Sequence, residues 1–539
     1  MTPLAGLDAS FLHLETAEMP MHAGVLYLLE WPVAELADAA NSSDSPDTLA
    51  GLRAHIASRL PLLPMLRRRL SAVPLNLTNP GWVDANPDLE AHIVGVQLPA
   101  DSSMAVLEAR VALLHAQLLE RSRPLWKFTL FEGLEAGPAG QRRVALYTQL
   151  HHAAADGPAA AAMAELLLDP STQPRELRLP PVQAQQVARL PAGVAGQLST
   201  ALAQQWQQTL QMAKALPAAA STLGAMAAKT AAGLAGNTLQ DWLAEARGEP
   251  AKERVSQVAL APRTRLNVSL SARRSFSTVS LPLAELDRLR GVHRASLDEA
   301  LLFICAGALR RYFVKHGPLP SSSLVAALPV SVAEGTVGAV DAGTQASISL
   351  LSLGTQLTDP AQRLAHLLSA SATARRQRAT VEALLPNDFP SLGLPWLLQA
   401  GAVLYGRLHA AEKLPALANL LISIVPGPGA GPSPGHRMPL YLAGARLLAH
   451  YPVASIVHGL ALHISAQSTA DTLDIGLLAC GQALPETAEL AAYMETAFLE
   501  FQLLSIASPV PIRKPGRATA VALKSAKKRP GTKPRPSSG

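Results

Sequence analysis

Val144 to Leu150 alternates well enough to be a strand, whose successive side chains face opposite sides, and Ala23 to Leu29 is a further strand-like stretch. Ser103 to Leu119 carries apolar positions at helical spacing instead. Short strands mixed with helices through about Pro180 predict an α/β or α+β unit. Between Pro181 and Val258 the chain turns to Ala, Gln and Leu, and Leu198, Leu202, Trp206 and Leu210 recur every fourth position. That spacing makes one apolar helical face, suited to packing between units or, in a lipid enzyme, to resting on a membrane. After Arg263 a second mixed region follows: a strand over Phe276–Leu281, a helix from Pro282 through Arg290 and a strong helix over Leu297–Phe313, continuing to about Ala507. Pro426 to Pro434 holds too much Pro and Gly for a regular element and reads as a loop. No internal repeat of solenoid or propeller period is present.

A chain of 539 residues exceeds one ordinary core. We therefore divide it into a first subdomain at 1–180, a helical connector at 181–258, a second subdomain at 259–508 and a tail at 509–539. With 49% hydrophobic and 16% charged residues the body is globular rather than disordered. Mean hydropathy is high at +0.18, yet no run of eighteen apolar residues is free of charge or Pro, so the chain does not read as membrane-spanning. The nearest stretch, Leu392 to Tyr405, carries Pro395 and Gln399 and suits a buried or surface-lying helix. Met1 to Ser10 lacks the basic start and apolar stretch of a signal peptide, which points to the cytoplasm.

Charge divides the chain unevenly. The net charge is +6, but Arg513–Gly539 holds nine Lys or Arg and no Asp or Glu, so the remainder is negative. A nucleic-acid surface is therefore not expected. The tail reads as disordered, either solubilising or drawn to anionic lipid headgroups. Cys305 and Cys480 are the only cysteines and read as structural thiols, with no disulfide framework and no metal expected.

The segment with chemistry is His151-His152-Ala153-Ala154-Ala155-Asp156-Gly157, at the end of the strand over Val144–Leu150. Alternation forbids both histidines from facing one site. Whichever faces a cleft can act as a base, because a neutral imidazole titrates near the pH where it must take up and return a proton. The other should pack or form a hydrogen bond. Asp156 and Gly157 read as a tight turn into a helix over Pro158–Leu168, with Asp156 holding the turn. Two histidines on opposite strand faces chelate metal poorly. The chain also lacks the Gly-x-Ser-x-Gly elbow of a hydrolase, which leaves direct transfer as the simpler chemistry.

This segment, with others in order along the chain, resembles the bacterial wax ester synthase/acyl-CoA:diacylglycerol acyltransferases, within the wider His-x-x-x-Asp acyltransferases. Leu7-Asp8-Ala9-Ser10-Phe11-Leu12, Pro20-Met21-His22, Trp82-Val83-Asp84 with Asp88-Leu89 and His92, Arg123-Pro124-Leu125-Trp126 and Glu132-Gly133-Leu134 precede the His-His-x-x-x-Asp-Gly signature. Leu266-Asn267, Gly307-Ala308-Leu309-Arg310-Arg311-Tyr312, Pro329-Val330-Ser331, Asp359-Pro360 and Val425-Pro426-Gly427-Pro428 follow it. The likeness runs from about Pro3 to Leu504.

The resemblance implies two chloramphenicol-acetyltransferase-like subdomains with mixed sheets, joined by a helical connector, with the catalytic histidine in a tunnel between them. It implies His152 as general base and His151 as its support. The acceptor would be diacylglycerol or a long-chain alcohol, and acyl-CoA the co-substrate, with no other cofactor and no covalent intermediate. Pro124, Leu125 and Trp126 would shape the tunnel. Asp298-Glu299 stands where Asn-Asp is usual, Gly343-Thr344 where Gly-Asn is, and Ser423-Ile424 where Ser-Asn precedes Val-Pro-Gly. Asp298 and Thr344 are thereby candidate substrate-binding positions, and with Ile424 they change polarity where amides could hold a thioester carbonyl. A peripheral place at the membrane or on lipid inclusions would follow from such substrates. The alternatives are a catalytically weakened relative that binds lipid surfaces and an acyltransferase with another acceptor.

Overall fold

The computed structural model describes residues 2–4, 6–31, 48–71, 79–155, 157–177, 260–331, 346–381, 404, 406–413, 415–425, 427–428 and 438–507. The connector, the tail, most of Leu392–Tyr405 and most of Pro426–Pro434 lie outside them.

Among the described residues, two six-stranded mixed sheets with flanking helices form the body, beside a small three-stranded sheet of Thr2–Pro3, Gly81–Asp84 and Arg68–Leu70. The first draws on α1 (Gly6–Leu14), β1 (His22–Glu30), α2 (Thr48–Arg59), β2 (Ile93–Ser102), α3 (Met104–His115), β3 (Trp126–Leu134), β4 (Arg143–His151) and α4 (Gly157–Leu167). The second half of the chain supplies β5 (Arg274–Pro282), α5 (Leu283–His293), α6 (Leu297–His316), β6 (Val325–Ser331), β7 (Ala346–Ser352), α7 (Pro360–Val381), β8 (Leu420–Val425), β9 (Tyr441–Leu442), β10 (Ala445–Val453), β11 (Leu462–Ser468), β12 (Thr472–Cys480) and α8 (Thr487–Ala507). This is the expected α/β architecture of two mixed-sheet halves.

Local chemistry sets the boundaries. Ser296 caps α6 by accepting from the Glu299 N–H while the Glu299 carboxylate accepts from the Ser296 N–H, a reciprocal cap that satisfies two of the donors a helix start leaves bare. Ala300 to Leu309 is buried on nearly every face of that helix, as a helix apolar all round requires. It packs against α8 so closely that a Cβ on Gly307 would stand 2.9 Å from the Ala497 Cβ. α3 ends at His115, short of the expected Leu119, and α6 runs past Phe313 to His316. Cys305 and Cys480 are buried free thiols. Among the described residues no helix is long and apolar enough to cross a membrane.

The sheets do not follow the division of the chain. The first sheet runs β9-β10-β1-β4-β3-β2 and the second β7-β6-β8-β11-β12-β5, so β9 and β10, from the second half of the chain, complete the first sheet. β10 pairs antiparallel with β1 from Arg446↔Glu30 to Val453↔Gly24. Its far end lies on β12 of the second sheet, where a Cβ on Gly476 would come within 1.9 Å of the Pro452 carbonyl oxygen. A second tie joins the halves: Glu108 of α3 accepts from the backbone N–H and hydroxyl of Thr278 on β5, at 2.7 and 2.6 Å.

Candidate active site

β4 delivers the two histidines. His151, its last residue, stands opposite His22 of β1, and the chain turns at once, with the Ala154 N–H donating to the His151 carbonyl at 2.8 Å. The His151 N–H donates to the Leu125 carbonyl at 3.0 Å and the His152 N–H to the Met21 carbonyl at 2.9 Å. Both rings therefore leave a fixed backbone. The turn lies at His152–Ala154, and Gly157, read as part of a tight turn, is the first residue of α4. Asp156 lies outside the described residues.

His151 is fully buried. Its Nδ1 accepts from the Ala153 N–H at 3.0 Å, which leaves the ring proton on Nε2, 3.3 Å from Glu15 Oε1. Glu15 is buried too, accepts from the Met21 N–H at 3.1 Å and pairs with Arg121 at 2.8 Å. Burial pushes the Glu15 carboxyl up, but His151, Arg121 and the Met21 N–H outweigh it and hold the group down to about 2. An ionised Glu15 thus fixes both the His151 ring and the Met21 segment, whose carbonyl in turn holds the His152 backbone.

His152 faces elsewhere. Its half-buried ring stacks on Phe11, centroids 5.2 Å apart, and its Nε2 lies 3.2 Å from the Ser455 hydroxyl. Desolvation, with the charges available to His151 and His463, lowers its pKa to about 4. At neutral pH the ring is uncharged and holds a lone pair for a proton.

Ser455 comes from the second half of the chain, two residues beyond β10. Register alone carries it there, since Val453 pairs with Gly24 and His22 with His151. Behind it stands His463 of β11, whose Nδ1 lies 2.8 Å from the Ser455 carbonyl and whose Nε2 lies 2.9 Å from the Ser423 hydroxyl of β8. A carbonyl only accepts, so the His463 proton sits on Nδ1 and Ser423 donates to Nε2. Burial keeps this ring neutral, its pKa lowered to about 4.

The remaining sequence candidates take varied places. Leu125 packs with Leu4, Ala9, Leu12 and Ala153. Trp126 is buried, donates its ring N–H to the Leu66 carbonyl at 2.9 Å and stacks on His92 at 4.2 Å; with Pro124 and Gln149 it lines a cavity of about 140 Å³. Asp298 stands apart, in the first turn of α6, where burial and the charge of Glu299 raise its pKa and Arg375 opposes them. Ile424 packs on the core of the second half, and Thr344 lies outside the described residues. Sequence reasoning missed Glu15, Ser455 and His463. Only Ser423 carried a signal, through its place beside Ile424 before Val-Pro-Gly.

A larger cleft of about 640 Å³ opens between the halves. Glu15 and Arg121 form part of its wall, with Ser269, Arg407, His409 and His458 across from them.

Two mixed-sheet halves with the His151–His152 pair at their seam have the two-subdomain form of an acyltransferase. Residues 4–297 match the model of the wax ester synthase/diacylglycerol acyltransferase catalytic domain, and residues 342–502 that of the family's C-terminal domain. The chain belongs to this family. It is 32% identical over 502 residues to a putative diacylglycerol O-acyltransferase of Mycobacterium tuberculosis strain H37Rv, covering 93% of this chain and 99% of that one. With the O-acyltransferase WSD of Acinetobacter baylyi it shares 28% identity over 513 residues, 93% and 97% of the two chains. The structure of the wax ester synthase/diacylglycerol acyltransferase from Marinobacter aquaeolei superposes with a TM-score of 0.58 at 26% identity, covering 94% of this chain and all of that one.

Proposed function

We propose that this acyltransferase esterifies diacylglycerol or a long-chain alcohol with the acyl group of acyl-CoA, with His152 as general base. The observation that carries the reading is the uncharged His152 ring at the seam, its Nε2 3.2 Å from a hydroxyl oxygen, where an acceptor hydroxyl would deliver its proton. As the acceptor O–H breaks, its oxygen forms a bond to the thioester carbonyl carbon and the proton passes to Nε2. The C–S bond then breaks, and the coenzyme A thiolate takes the proton back from the imidazolium. Proton transfer of this kind contributes roughly 10²- to 10⁴-fold, beside the gain from holding both reactants together.

His151 acts as support, tied to Glu15. Pro124, Leu125 and Trp126 shape the path to His152. Acyl-CoA is a co-substrate and no resident cofactor is invoked; the Arg121, Arg407 and histidine wall of the larger cleft suits its phosphates. Contact with a membrane or lipid inclusion from the cytoplasmic side completes the reading. Its support is an exposed row on α8, Leu499, Leu503 and Ile506, followed directly by the basic tail.

The test is release of free coenzyme A from palmitoyl-CoA with hexadecanol or dioleoylglycerol. His152→Ala should lower acceptor-dependent release by about 10²- to 10⁴-fold with the fold intact. Release equal to wild type in that variant would refute His152 as base, and no release by wild type with either acceptor would refute the acceptor class.

A further inference from the structure

No step of the proposed transfer uses the cavity of about 140 Å³ beside Trp126. It lies where one end of the first sheet gathers three strands: His92 directly precedes β2, Trp126 and Lys127 open β3, and Gln149 stands two residues before His151 on β4. Lys127 pairs with Gln149 in the register of β3 and β4, so both side chains leave the same face of the sheet. Leu118 and Leu119, just beyond α3, line this cavity and the larger cleft alike and so stand between the two.

Three groups on the wall have binding capacity that the protein leaves unmet. Gln149 is buried, and its amide donates through Nε2 to His22 Nε2 at 3.1 Å and to the Leu114 carbonyl at 3.2 Å. Those two bonds fix its orientation and leave Oε1 with no partner among the described residues. His92 is buried as well, with Nδ1 2.8 Å from the Trp126 carbonyl. A carbonyl only accepts, so the proton sits on Nδ1 and Nε2 keeps its lone pair. Burial, with the charge of Arg123, holds this ring below its ordinary pKa and therefore neutral at pH 7. Lys127 is half-buried, and its ammonium has no ion pair or hydrogen bond among the described residues. Arg123, the other cation on the wall, is already paired with Glu120 at 3.1 Å, so the lining keeps an excess of positive charge. Buried acceptors ordinarily find a donor. Water alone would meet the two acceptors and leave the Lys127 charge without a counter-charge, whereas an anion that carries hydroxyls meets all three groups.

We infer that this cavity is a binding site for a small hydroxylated anion, a three-carbon polyol phosphate or hydroxycarboxylate, whose hydroxyls donate to Gln149 Oε1 and His92 Nε2 and whose anionic group rests on Lys127. The volume suits a ligand of that size and is too small for a nucleotide or a long acyl chain. Leu118 and Leu119 part the site from the cleft, so it is separate from the seam where acyl transfer is proposed and does not depend on that reading.

Equilibrium dialysis of the full chain against radiolabelled sn-glycerol 3-phosphate and glycerate tests it, with glycerol and inorganic phosphate as the two halves of such a ligand. At least one of the two anions should bind at millimolar concentration or below. Glycerol, which lacks the charge, and phosphate, which cannot span from Lys127 to both acceptors, should each bind at least about tenfold more weakly. Lys127→Met should weaken binding by about tenfold or more with an unchanged urea midpoint, and His92→Phe, which keeps a ring against Trp126 but no acceptor, should weaken it too. Displacement of the label by 1-oleoylglycerol 3-phosphate at lower concentration than by glycerol 3-phosphate would assign the anion to a lipid headgroup, and weaker or no displacement would assign it to a free molecule; the site holds in both cases. Binding of neither anion, equal binding of inorganic phosphate, or wild-type binding by Lys127→Met would overturn it. So would competition of the anion with palmitoyl-CoA or dioleoylglycerol in the coenzyme A release assay, which would make the cavity a branch of the transfer path. Failure of wild type to release coenzyme A would strike at the acyl-transfer reading and leave the dialysis to decide this site.

Discussion

His22 and His450 are fully buried, and burial holds each ring at a pKa of about 3, with His151 adding to the effect at His22. His463, nearly as buried, is held at about 4. In the unfolded chain these rings titrate near 6.5. Below that pH the unfolded chain takes up protons that the folded chain refuses, so stability is level above about pH 6.5 and falls as the pH drops toward the folded values. Each ring removes up to about 1.4 kcal/mol per pH unit in that range. Glu15 has the opposite charge type but the same sign: its lowered pKa gives stability that is fully present above the usual carboxylate range and is lost only as pH falls toward 2, so it is silent between pH 7 and 5. The urea midpoint should therefore drop steadily from pH 7 to pH 5. A constant midpoint over that interval would show that these rings are not held neutral by the fold.

Among the elements, β10 is the one whose placement matters most, and Gly476 is what lets it lie where it does. The Pro452 carbonyl oxygen sits where a side chain would begin, and neither partner is a flexible end that could move aside. Gly476→Ala should destabilise the protein by about 1–3 kcal/mol or more, in the manner of an overpacked core, read as a lowered urea midpoint. It should also lower activity, because β10 carries Ser455; an unchanged midpoint would mean that the two sheets are not in contact there. β1, β4 and α6 were legible in the sequence because strand-like texture and helical spacing are local signals. The seven-residue signature was legible for the same reason. The pairing of β10 with β1 was not, since no local pattern records which distant strand completes a sheet. Glu15, Ser455 and His463 were hidden with it: each reaches the histidines through tertiary register, and none lies in a motif of its own. Alternation did foretell that His151 and His152 would face apart, and they do, toward Glu15 and Ser455.

For the whole molecule, the proposed contact with a membrane rests on the exposed face of α8 and the basic sequence after it. Leu499, Leu503 and Ile506 are 56%, 67% and 73% exposed and fall on one side of the helix, and the chain then adds nine basic residues with no acid between Arg513 and Gly539. Each basic residue near an anionic surface contributes about 1 kcal/mol, screened by salt. Vesicles containing phosphatidylserine should sediment with the protein at low salt, and neutral phosphatidylcholine vesicles should capture much less. Replacing the three apolar residues by Ser should weaken what remains at high salt, whereas ending the chain after Ala507 should abolish the salt-sensitive part. Equal capture by both vesicle types in the wild type would count against this surface.

The pairing of β10 with β1 joins residues roughly 420 positions apart. During synthesis the first sheet therefore has a bare edge along β1 until the ribosome has released nearly the entire body of the protein. An unpaired edge strand invites pairing with other chains, and a closure this distant is slow. The first half made alone would leave its sheet open along β1, and a cut between the halves would part β9 and β10 from the sheet they complete.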